Sequence, residues 1–124
     1  MANPNIVNVA TIYGNNSTTA LSTTSATAIV NNPVGSGKVY KINSIVVSNV
    51  DGTSAADITI NVYSEDDLGG TAYAIASTIA VPADASLIVM DKSTSLYLKE
   101  DQSIGAIAGA ANDLVVTASW EEIS

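Results

Sequence analysis

The side chains that most often do chemistry are nearly absent from this sequence. It has no histidine, no cysteine and no arginine, and its four cations are Lys38, Lys41, Lys92 and Lys99. Losing histidine removes the commonest general base and metal ligand at neutral pH. Losing cysteine removes thiolate nucleophiles, disulfides and thiolate metal sites. The bidentate fork of arginine, which clamps anions, is missing as well. A serine nucleophile would have to draw its base from those four lysines, all at expected strand edges or turns, where nothing activates an amine. A two-carboxylate hydrolase is formally open, but such clefts are usually lined by aromatics, and this chain has five Tyr, one Trp and no Phe. The inventory assigns no catalytic, cofactor-binding or metal-ligating residue, and the expectation is a protein that is not an enzyme.

Three motifs invite a site and fail on inspection. Gly35-Ser36-Gly37-Lys38 resembles part of a phosphate-binding loop. That loop needs a glycine five residues before its Gly-Lys pair and a Ser or Thr after the lysine. Asn32 and Val39 stand there instead. Glu65-Asp66-Asp67, inside Ser64 to Gly70, offers three carboxylates that could hold calcium. They lack the alternating spacing of an EF-hand, and their mutual repulsion fits a solvated loop. Asn15-Asn16-Ser17 and Asn16-Ser17-Thr18 match the glycosylation pattern. The start, MANPNIVN, has no basic region and no continuous apolar core, so no secretory signal is expected and these residues read as loop.

Charge narrows the partners. Twelve acidic residues against four lysines give a net charge of −8. Nucleic-acid binding requires cations to displace counterions from phosphate, and no basic groove can be built here. Anionic membrane surfaces are disfavoured for the same reason, and no apolar run is long enough to span a bilayer. The 124 residues suit one domain, 1–124.

The elements that would position any site are strands. Lys38 to Val62 is the organising stretch: two β-branched runs around a turn-rich segment beginning Asp51-Gly52. We expect them to pair as a long antiparallel unit. Ile58, Ile60 and Val62 alternate with Asp57, Thr59 and Asn61, a period of two that sends successive side chains to opposite faces. Asn5 to Tyr13 is an expected first strand, apolar on both faces; residues 1–16 form an arm or strand suited to a neighbouring subunit. Gly14-Asn15-Asn16 is an expected turn, and Asn31 to Gly37 the clearest one. Thr24 to Val30 is the next expected strand. In Ala72 to Val81, the face carrying Tyr73, Ile75, Ile79 and Val81 is expected inside, with the alanine face toward a second sheet or subunit. Ser86 to Met90 and Leu96 to Leu98 are short strands, and Gly105 to Asn112 is an expected flexible stretch. In the last strand, Leu114, Val116, Ala118 and Trp120 share one face, and the lone indole NH needs a partner.

About eight short strands between polar turns indicate an all-β fold, an antiparallel β-sandwich of jelly-roll-like or Ig-like type. The runs KVYKINSIVVSNVDGTSAADITINVYS, YAIASTIAVPADASLIVMDKSTSLYLKEDQSI and LVVTASWEEIS resemble a small virion structural protein of tailed phages, akin to structural proteins of marine, T4-like cyanophages. The resemblance covers most of residues 38–124. It implies a particle component, assembled in the host cytoplasm and contacting other virion proteins, either major capsid or neck and tail proteins. The expected role is capsid decoration (a cement protein on the phage head), with a neck, tail or fibre component as the alternative. Two-faced strands point to a homo-oligomer, for example a trimer. A carbohydrate-binding or adhesive module is the other reading. It needs exposed aromatics, and Tyr63 is the best candidate because it sits on the polar parity of its strand.

Overall fold

The structure, a computed structural model, describes residues 3–124. The chain order is β1 (Ile12–Ala20), β2 (Thr27–Asn32), β3 (Val39–Asn49), β4 (Ala56–Tyr63), β5 (Ala72–Val81), β6 (Ser86–Met90), a single 3-10 turn (Lys92–Thr94), β7 (Leu96–Leu98), β8 (Gln102–Ala108) and β9 (Leu114–Ile123). One sheet runs β1-β9-β3-β6, with β7 also on β3; the other runs β2-β8-β4-β5. The all-β sandwich expected from patterning is the fold observed.

Pairing is nested. β1 meets β9, β2 meets β8, β3 meets β6 and β7, and β4 meets β5, all antiparallel. The chain is thus one long ribbon doubled on itself and rolled, so that β9 also meets β3 and β8 also meets β4. That is the jelly-roll order. β6 and β7 share one edge position along β3, at Ile45–Ser48 and Tyr40–Ile42. Between them the 3-10 turn is capped by Asp91, whose side chain accepts from the Ser93 amide.

The core lies between the sheets. Ile42, Ile45 and Val47 enter it from β3, Ile58 and Ile60 from β4, Ile104, Ala106 and Ala108 from β8, and Leu114, Val116, Ala118 and Trp120 from β9. The inward face expected for β9 is observed. Each fully buried Ile, Val or Leu stabilises the fold by about 1.5–3 kcal/mol relative to exposure.

Several expectations require correction. β3 and β4 do not pair; they lie in opposite sheets. Alternation marks an inward face but cannot name the neighbour, and here the partners β9 and β8 come from the far end of the chain. The apolar residues on both parities of β3 reflect a bulge between Ile42 and Ser44, where one inserted residue swaps the faces. Gly14-Asn15-Asn16 is not a turn but part of β1, in register with Glu121, Trp120 and Ser119. Residues 3–11 of the expected arm are irregular, with Ile6 and Val7 exposed; Met1 and Ala2 lie outside the described residues. β8 occupies much of the stretch expected to be flexible. Gly105 and the alanines there serve close packing, since a Cβ on Gly105 would sit 2.7 Å from Leu68 Cδ2 and 3.0 Å from Tyr63 Cε2.

The largest correction is β5. Ala76 and Val81 point inward, whereas Tyr73, Ile75 and Ile79 are 63%, 43% and 40% exposed. The register against β4 shifts twice, and Thr78 takes a positive φ of 51°. A β-branched residue in that region marks a local break in the strand.

Candidate functional site

The densest group of polar side chains on the inner flank of the first sheet centres on Glu122. Strand alternation puts Glu122 on the same side as Trp120, and the register places Tyr40 opposite it and Asn15 opposite Trp120. Glu122 Oε2 accepts from Asn15 Nδ2 at 2.8 Å and from Trp120 Nε1 at 3.2 Å; its Oε1 accepts from Lys38 Nζ at 3.3 Å. The indole of Trp120 stacks on Tyr40, centroids 6.1 Å apart. Burial pushes the Glu122 carboxyl up, but the hydrogen bonds from Asn15, Trp120 and Lys38, with the Lys38 charge, outweigh it and hold the group below its usual range. Burial, and then the Glu122 charge, raise the Tyr40 phenol. The arrangement keeps a carboxylate ionised and held by three donors, and it ties β1, β3 and β9 together. Sequence reading missed this hub; the one signal was Trp120 and Glu122 two apart on a strand.

The other polar groups inside are staples. Asn32 Nδ2 donates to the carbonyls of Lys38 and Leu98 at 3.0 and 3.1 Å, and its Oδ1 accepts from Ser36 Oγ. At the end of β3, Asn49 Nδ2 donates to the Ser54 and Val81 carbonyls, both at 2.9 Å. Both asparagines are buried, so each satisfies loop carbonyls that water does not reach.

The loops considered as sites are occupied by the same work. In the Gly35–Lys38 segment, the Gly37 amide donates to Glu100 Oε2 at 2.7 Å, and Lys38 is taken by Glu122. A carboxylate already fills the place an anion would take. In the acidic loop, Asp66 Oδ2 accepts from the Val34 amide and Asp67 Oδ1 from Asn31 Nδ2, both at 3.0 Å. Asp101 Oδ1 accepts from the Asp66 amide, and Ser103 Oγ accepts from the Leu68 amide. The loop is folded across β8 onto the end of β2, its carboxylates satisfying backbone and amide donors. No group of three or more acidic, His or Cys side chains is placed to hold a metal among the described residues.

The aromatic expectation is reversed. Tyr63 keeps the outer parity of its strand, in unbroken register with β8, yet is buried at 8% exposure because the loop after β4 brings Leu68 beside it over Gly105, while Tyr73 is exposed. Tyr13, Tyr73 and Tyr97 are the exposed rings, on β1, β5 and β7, strands that do not pair with one another. They form no common platform. An apolar depression of about 310 Å³ lies where Asn3, Pro4 and Ile6 cross Val39, Tyr97 and Lys99. Lys99 is the one charged group in its lining. No helix among the described residues is long and apolar enough to cross a membrane.

No protein-family model and no curated protein matches the sequence. Among solved structures, the chain is similar to a subunit of Bacillus endospore appendages, described as a novel family of disulfide-linked pili. The identity is 19%, over 92% of this chain and 88% of that one, with a TM-score of 0.54. A chain of infectious bursal disease virus strain Gx aligns at 12% identity over 91% of this chain but only 42% of its own length, with a TM-score of 0.36, too remote to bear on the argument. At 19% identity the appendage likeness shows a shared fold.

Proposed function

We propose that this chain is a non-enzymatic structural protein of a virus particle, and most specifically a capsid decoration protein seated on the phage head. One observation carries the reading: the buried side chains of Asn32, Asn49 and Ser103 fasten loops to the sandwich. What results is a rigid slab offering surfaces rather than a cleft. The fold shared with an appendage subunit supports a structural role. The net charge of −8 and the absence of Arg and His turn the chain away from nucleic acid, leaving protein surfaces as its partners, among them other virion proteins and further copies of itself.

Purified particles from the virus that encodes the chain test this directly. Quantitative mass spectrometry should find it in many copies, and a map of the particle should place it over the capsid lattice. Placement at the neck, tail or fibre would keep the structural role and replace decoration. A chain missing from purified particles would end the proposal.

A further inference from the structure

We infer that the depression beside Lys99 is a docking site for a different protein, and that it takes a short extended segment in which a bulky apolar side chain stands next to a carboxylate. The inference rests on the structural role proposed above and names the chemistry of one contact that role requires.

The site is built on the outward side of the first sheet. Tyr40 points into the core, so Val39 and Lys41 point away from it. Directly opposed residues share a face. Ile123 therefore stands beside Val39, and Glu121 and Tyr97 flank Lys41. Val39 is only 4% exposed despite facing outward, and Asn3, Pro4 and Ile6 lie against it. Between that crossing segment, Tyr97 and Lys99 the chain leaves a hollow of about 310 Å³. Ligand pockets run from about 300 to 1,000 Å³, so this one has room for an anchoring side chain and not for a folded surface. Ile6 and Tyr97, 53% and 45% exposed, give it open apolar walls.

Charge decides the occupant. Exposed apolar groups elsewhere on the chain sit with carboxylates. The Val34 amide donates to Asp66 Oδ2. Val50 precedes Asp51, and its amide donates to the Asp113 carbonyl. Ile79 adjoins Ala80, which is opposed to Asp57. The hollow is the reverse case, lined by a cation and no carboxylate. Lys99 forms no ion pair among the described residues, and Lys41 stands in the next row. The acidic residues close by are engaged. Glu100 is buried with its Oε2 on the Gly37 amide, Asp101 holds the Asp66 amide, and Glu121 accepts from Asn43 Nδ2. Glu122 lies on the inner side of the sheet, bound to Lys38.

An ammonium without a partner at the rim of an apolar hollow is complementary to a carboxylate carried beside an apolar side chain. A second copy would bring its own net charge of −8 against this one, which opposes contact. Nucleic acid would bring phosphates that the remaining carboxylates repel. An acidic, apolar-anchored stretch of another protein meets both requirements of the hollow.

NMR titration of the isotopically labelled full chain tests the assignment without reference to particles. The probes are capped hexapeptides that alternate Leu with Glu, Leu with Lys, and Ser with Glu. The Leu–Glu peptide should give saturable shifts at Val39, Tyr97 and Lys99, and the other two should bind at least about tenfold more weakly. Lys99→Glu should weaken the Leu–Glu peptide by about tenfold and strengthen the Leu–Lys peptide. Lys92→Glu makes the same change in net charge away from the lining and should leave both affinities unchanged. Signals remote from the hollow report that each variant is folded. The inference is overturned by absent or non-saturating shifts, by shifts centred elsewhere, or by equal binding of the Leu–Lys or Ser–Glu peptide. It is overturned as well if Lys99→Glu has no effect or Lys92→Glu has the same effect. A chain present in particles that ignores the Leu–Glu peptide would lose this site and keep its structural role, whereas binding by a chain missing from particles would keep the site and end that role.

Discussion

Replacing Glu122 separates what its charge contributes from what its shape contributes. Glu122→Leu leaves the Trp120 indole NH, on a residue only 7% exposed, with no acceptor. An unsatisfied buried donor costs about 1–3 kcal/mol. Losing the Asn15 bond costs about another 1 kcal/mol. The Lys38 pair adds little, because the lysine side chain is 39% exposed and such pairs are worth about 0–1 kcal/mol. The expected loss is about 2–4 kcal/mol. Glu122→Gln keeps an oxygen for Asn15 and Trp120 and gives up only the ionic part, so about 1 kcal/mol is expected. The folded-state carboxyl is held below its usual range. Its contribution is therefore fully present above the unfolded value, about 4.3, and disappears as pH falls through the lower folded value. Urea unfolding of wild type and Glu122→Gln at neutral pH and near pH 3 measures this. The other acidic residues are common to both proteins and cancel in the difference. The gap should close at low pH; an unchanged gap at both pH values would refute the account of Glu122 as an ionised hub.

Three further outcomes follow from the same geometry. Asn32→Ala strips two loop carbonyls of their donor at a fully buried site, and should cost about 2–4 kcal/mol in urea unfolding; a loss under about 0.5 kcal/mol would show that the staple is not structural. Amide hydrogen exchange should be fastest in residues 3–20 and slowest in β3, β4 and β9, because β1 contributes no buried side chain and pairs on one side only; protection in β1 equal to that in β9 would contradict this. Calcium or chelator should leave the melting temperature unchanged, since the Asp66 and Asp67 carboxylates already accept internal donors, and a rise of several degrees on adding calcium would reopen the acidic loop as a site.

Much of the fold was legible because strand alternation is a local property. Leu114, Val116, Ala118 and Trp120 face the core as their spacing requires, and the turn expected over Asn31 to Gly37 falls at Pro33 to Gly37, because Asn31 and Asn32 still pair with β8. The missing signals were those that depend on register. One residue more or less between two points of a strand reverses every face beyond it. The irregularity at Asn43 did this on β3 and two more broke the alternation of β5, while Tyr63 is buried by the 64–70 loop folded over Gly105. Nothing in the local sequence announces those insertions, because they answer to the partner strand.

The sequence by itself determined most of the strands after the first, a turn following β2 and a reactive inventory reduced to four lysines and twelve carboxylates. Tertiary structure alone decided that β1 lies on β9 and β3 on β9 rather than on β4. It also decided that Glu122 gathers Asn15, Lys38 and Trp120, and that a twice-bulged β5 ends its sheet. The physical reason is reach. Side-chain alternation is written within a few residues, whereas strand pairing is settled by backbone groups competing for partners across the whole chain, and the positions of the charges and the free edge follow from that settlement.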